Sequence, residues 1–274
     1  MWQRIVLVGL LLVGAVLRLT GLGWNLERHS VVPTGNAPTF HVDEADFANG
    51  LRDDFRLFND KSIVMDGPLV SNIAYWGVRF SGKSNWDAAL PLRWGRAVSA
   101  VADSLTLMVL WLLLRRLNVY APVALFAVAL LAVHPNYVYN AHFARTHSLA
   151  NFFQMVAFGC TALMVQSTRL RTQACALFVS GVAAILAGSA RYPFLSLGLF
   201  PAWSMVALLL RARREGTLRQ VAPVLGVAAG AALMVGLWLG FQFHPLDILR
   251  RGAAAQASAD WQLHWSQGFE LLSS

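Results

Sequence analysis

The sequence predicts an all-α protein that crosses a membrane several times, and three observations carry the prediction. Hydrophobic residues make up 57% of the chain and charged residues only 13%, about half the charged share of an ordinary soluble domain. The apolar residues gather into runs close to the ~20 residues that a helix needs to cross hydrocarbon. The runs are solidly apolar and do not alternate, which argues against a barrel of strands.

About seven spans follow, at residues 4–23, 95–114, 121–140, 148–166, 174–190, 192–211 and 221–243. The first has Arg4 ahead of an apolar run from Ile5 to Val16, as a signal peptide would. Leu17-Arg18-Leu19-Thr20-Gly21 is a poor small-x-small cleavage site, so the run reads as a retained span. Only Ser189-Ala190-Arg191-Tyr192-Pro193 separates the fifth span from the sixth, a tight helical hairpin with Pro193 in the first turn of the next helix. Cys160 and Cys175 have no paired spacing and are expected as free thiols. No internal repeat and no low-complexity tract is present.

The net charge of +8 and a pI near 10.3 would suit a nucleic-acid partner. The placement of the basic residues excludes that reading, because they sit largely at span ends, where they orient helices. One side receives Arg4, Arg115, Arg116, Arg169, Arg171, Arg211, Arg213, Arg214 and Arg219; the other receives Arg145 and Arg191, with Arg18 near the end of the first span. This bias puts the N-terminus in the cytoplasm of a plasma (inner) membrane. Residues 24–92 then form a long first loop on the periplasmic or extracellular face, and residues 246–274 an outer loop or a truncated tail. Within the first loop, Asp43 to Phe58 and Leu69 to Phe80 recur at helical spacing and read as amphipathic helices in the membrane interface.

This topology brings three polar constellations to the outer face: His41-Val42-Asp43-Glu44, His142-Phe143-Ala144-Arg145-Thr146-His147, and Arg191-Tyr192. Asp103 lies inside the second span, and a carboxylate in hydrocarbon is a functional candidate by default. Arg96, seven residues earlier on the same helical face, is one partner for it; a contact to a neighbouring helix is the other reading.

These landmarks resemble the GT-C membrane glycosyltransferases, in particular the branch using dolichyl- or polyprenyl-phosphate sugars, with the protein mannosyltransferases and the lipid A aminoarabinose transferases. The resemblance lies in ordered motifs over residues 1–245, a GT-C-like transmembrane domain: Leu17-Arg18-Leu19, then His41-x-Asp43-Glu44, Gly67-Pro68-Leu69, Arg93-x-x-Arg96, Leu114-Arg115-Arg116-Leu117, His134-Pro135, His142-Phe143-Ala144-Arg145, Phe152-Phe153 and Ala190-Arg191-Tyr192. Two positions depart from the family pattern. His147 stands where the family often has an acid, and Arg191 where it often has Lys, which keeps the charge but changes its geometry.

The resemblance implies a sugar moved from a polyprenyl-phosphate donor to an acceptor protein, lipid or glycan, with Asp43 as the base and Glu44 positioning it or the acceptor. Arg96, Arg145 and Arg191 would hold the lipid phosphate, with Tyr192, His41 and His142 beside them; as bland alternatives, the acids decorate a helix N-terminus and the arginines snorkel to headgroups. No cofactor is firmly implied. The histidines and carboxylates admit a divalent cation, but no ligand set is assigned. Two other readings are a multi-span transporter and a catalytically inactive GT-C-like scaffold. A transporter commonly shows internal repeats or broken helices near the midplane, and the sequence displays neither.

Overall fold

The structure is a computed structural model that describes residues 2–23, 69–81 and 89–241. His41, Asp43, Glu44, the expected helix over 43–58 and the tail 246–274 lie outside the described residues. The described residues form helices and no strand: α1 (Trp2–Leu19), α2 (Leu69–Phe80), α3 (Ala89–Arg116), α4 (Ala121–Val133), α5 (Pro135–Ala141), α6 (Thr146–Gln166), α7 (Leu170–Ala190), a 3₁₀ segment (Tyr192–Gly198), α8 (Leu199–Arg214) and α9 (Leu218–Phe241). The protein is an all-α, multi-pass membrane protein. Among the described residues, five helices are long and apolar enough to span, and a sixth span is reached if the bent pair α4–α5 counts as one.

Two expected spans differ in detail. Residues 121–140 are not one straight helix: α4 and α5 are bent by 55° at His134. Pro135 disfavours helical geometry in the residue before it, and His134 is extended at φ −62° and ψ 121°. A broken helix is therefore present, contrary to the sequence reading. Residues 192–211 also fail to start as an α-helix. Tyr192 and Pro193 begin a 3₁₀ segment instead, and α8 begins at Leu199. With 16 residues, α8 is about 24 Å long, short of the ~30 Å of hydrocarbon, and it is not among the helices long and apolar enough to span.

The helices form two groups. In one, α1 packs on α3, α4 and α5; in the other, α7 is flanked by α6 and α9 and capped by the 3₁₀ segment; α3 and α6 join the groups. Helix α7 is the most enclosed span and α1 the least. The junction is filled by Leu69 and Val70 of α2, Ala102 of α3, Leu149 and Ala150 of α6, and Leu186 and Ala190 of α7. The expected amphipathic helix over Leu69–Phe80 is thus formed, but its Leu69–Val70 end is buried against the bundle. Two glycines set close approaches. A Cβ on Gly14 would stand 2.4 Å from Leu107 Cδ1, so α1 lies tight against α3. A Cβ on Gly77 would stand 2.4 Å from the Trp94 ring, so α2 does the same. Small residues that let backbones close up are the usual means of helix association in lipid, where apolar burial gives little drive.

Candidate functional site

One end of the bundle collects the polar side chains. It is built where α1 ends, α3 begins, α5 runs into α6, and α7 stops. Helix α1 frays into a turn in which Gly21 takes φ +80°, a conformation open to glycine. That turn presents the carbonyls of Thr20 and Leu22. Arg96 Nη1 donates to the Leu22 carbonyl at 3.2 Å, and Arg96 is only 4% exposed. An arginine reaching for headgroups would be exposed, so Arg96 is held inside the bundle and does not snorkel.

The short helix α5 exists because Pro135 supplies a ready-made first turn. It leads to His142, whose Nδ1 lies 2.6 Å from the Val138 carbonyl and whose Nε2 lies 2.8 Å from the Thr20 carbonyl. Both partners are backbone carbonyls, one on α5 itself and one in the turn after α1. His142 therefore ties α5 to the end of α1. Arg145 follows in an extended conformation at the start of α6. Its Nη1 donates to Asn140 Oδ1 at 3.2 Å, its carbonyl accepts from Ser99 Oγ at 3.0 Å, and its guanidinium lies 6.0 Å from the Phe143 ring centre. Two residues on, Nε2 of His147 accepts a hydrogen bond from Arg191 Nη1 across the α6–α7 interface. Tyr192 opens the 3₁₀ segment directly after Arg191.

The structure thus gathers Arg96, His142, Arg145, Arg191 and the Tyr192 backbone at one end. The sequence reading did not single out Ser99 or Asn140, which fix Arg145, nor the contact between His147 and Arg191. Neither Ser99 nor Asn140 carries a motif of its own; only their placement beside Arg145 gives them meaning. Among the described residues, no group of three or more His, Cys, Asp or Glu side chains is arranged to hold a metal ion. An apolar groove of about 260 Å³ runs along α3 and α6 near this end, lined by Trp94, Val98, Val101, Leu105, Leu149 and Phe152 among others.

The expected Arg96–Asp103 pair is not formed. Seven residues of helix separate the two by about 10 Å along the axis, whereas Arg18 of α1 lies directly against α3. Arg18 Nε donates to Asp103 Oδ2 at 2.5 Å, with both side chains buried. Arg18 Nη1 also donates to the Gly14 carbonyl at 3.0 Å and the Ala132 carbonyl at 2.8 Å, and Nη2 to the Leu131 carbonyl at 3.0 Å. Asp103 is in consequence a contact between neighbouring helices.

No protein-family model matches the chain, and no curated protein matches it in sequence. A solved structure does: the S. cerevisiae protein O-mannosyltransferase Pmt1-Pmt2 complex bound to the sugar donor is similar over 88% of this chain, at 21% sequence identity and a TM-score of 0.60. The present chain spans only 32% of that one. At this identity the likeness is one of fold alone.

Proposed function

We propose that the chain carries the donor site of a membrane glycosyltransferase that takes a sugar from a polyprenyl phosphate. The observation that carries the reading is the gathering of Arg96, Arg145 and Arg191 at one end of a fold shared with a mannosyltransferase. The reaction has simple requirements. The bond from the anomeric carbon to the phosphate oxygen breaks, and a bond from that carbon to the acceptor hydroxyl or amine forms with inversion. The acceptor proton passes to Asp43, with Glu44 beside it, and the electron pair leaves on the lipid phosphate. Guanidinium groups suit that phosphate because they donate charge-assisted, paired hydrogen bonds. The apolar groove between α3 and α6 suits a lipid chain.

In this reading the site faces the periplasm or the cell exterior and the arginine-rich end the cytoplasm. His41 and Tyr192 line the sugar side. The acceptor is a protein, a lipid or a glycan.

The test is reconstitution of the full-length gene product with a polyprenyl-phosphate sugar, following release of polyprenyl phosphate. Removing a general base costs about 10²–10⁴-fold, so Asp43→Asn is expected to lower kcat at least a hundredfold. Turnover at the parent rate would overturn the base assignment.

The broken span α4–α5 is the one observation that favours a transporter, since open carbonyls at such breaks commonly coordinate ions. Here the Leu131 and Ala132 carbonyls at the break already accept hydrogen bonds from Arg18. Solute flux without consumption of the lipid donor would nonetheless decide for transport.

A further inference from the structure

Helix α4 ends where its own hydrogen-bond ladder fails. Pro135 has no N–H, so the Leu131 carbonyl has no donor four residues on, and the extended His134 ends the ladder for Ala132 as well. In hydrocarbon no water fills such a gap. The Arg18 guanidinium fills it from a different helix, placing separate nitrogens on the two carbonyls and a third on Asp103. We propose that Arg18 is a positioning residue for the Arg145 end of the bundle, acting by holding the α4–α5 bend through the Leu131 and Ala132 carbonyls rather than by neutralising Asp103 alone.

The lever runs through short, rigid parts. The bend at His134 aims α5, which is only seven residues long. Helix α5 carries Asn140, the partner of Arg145 Nη1, and ends at His142, which is bound to the Thr20 carbonyl. A change of angle at the bend therefore moves Asn140, which holds the Arg145 guanidinium, together with the tie from His142 to the end of α1. Simple charge neutralisation would be served by a lysine. A planar fork that reaches an acid and two carbonyls at once is served only by arginine.

Two readouts test this, on the full chain in nanodiscs with Cys160 and Cys175 replaced by Ala. Spin labels at Thr20→Cys and Tyr139→Cys report the distance between the end of α1 and α5. In the Arg18→Met/Asp103→Leu double variant no buried charge is left unpaired, so folding is spared while the two carbonyls lose their donor. The expected result is a mean distance shifted by about 5 Å, the rise of one helical turn. The parent distance distribution in that variant would overturn the proposal. Should the double variant fail to accumulate, single variants decide: Arg18→Lys is expected to shift the distance and Asp103→Asn to keep it, and the opposite order overturns the proposal. The second readout rests on the glycosyltransferase reading. There the double variant is expected to lose at least tenfold in donor kcat/KM. The failures are distinguishable, because an inactive parent chain or an active Asp43→Asn enzyme sinks the catalytic reading and leaves the distances untouched.

Discussion

Arg145 and Arg191 enter the site in different company. Arg145 is oriented by Asn140, Ser99 and the ring of Phe143, over which its guanidinium lies, whereas Arg191 donates to a histidine. A hydrogen bond from a charged donor is worth about 1.5–3 kcal/mol, so Arg145→Ala is expected to raise the donor KM by roughly tenfold to a hundredfold, as read in donor titrations. Arg145→Lys should recover only part of this, since a point charge lacks the paired geometry. Asp103→Ala is a different kind of change. It leaves the Arg18 charge buried without its carboxylate, a loss of about 3–5 kcal/mol, and is expected to show as a lower melting temperature in detergent. At this scale the sequence was partly legible. The arginines announce themselves because only 13% of this apolar chain is charged. The partner of Asp103 did not, because it lies 85 residues away and depends on which helices are neighbours, which no local pattern encodes.

Helix α1 meets α3 through an absence, the missing side chain at Gly14. Leu107, fully buried, occupies the space a Cβ would take. Gly14→Val is therefore expected to destabilise the fold by about 1–3 kcal/mol through overpacking, and Leu107→Ala in the same chain should recover part of it; thermal melts of the two variants and the double check both. Span positions were largely legible from apolar length alone, and α2 was expected over the residues it occupies. The breaks were less so. His134-Pro135 lay inside the span expected over 121–140, and the 55° bend there was not foreseen. Pro193 suits the first turn of an α-helix or of a 3₁₀ segment equally, and neighbouring packing decides between them.

Across the molecule, the two ends differ in chemistry. The ends of α3 and α8 and the turn after α6 carry exposed arginines, while the opposite end holds the buried Arg96 and the half-buried Arg145 and Arg191. The charge bias predicts that a cysteine at Thr168 is labelled only from the cytoplasm and one at Tyr139 only from the other side, in a background without Cys160 and Cys175. The reverse pattern would invert the orientation and with it the proposed face of the reaction. The pairing of Arg18 with Asp103 also has a bearing on how the chain is made. Arg18 leaves the ribosome 85 residues ahead of its carboxylate, a lag of roughly 4–17 s at ordinary synthesis rates. For that interval its guanidinium has no partner in the lipid and must linger at the headgroups. The first helix can sink to its final depth only after the third has arrived, which makes the late settling of α1 a step in biogenesis that a translation-arrest series would time.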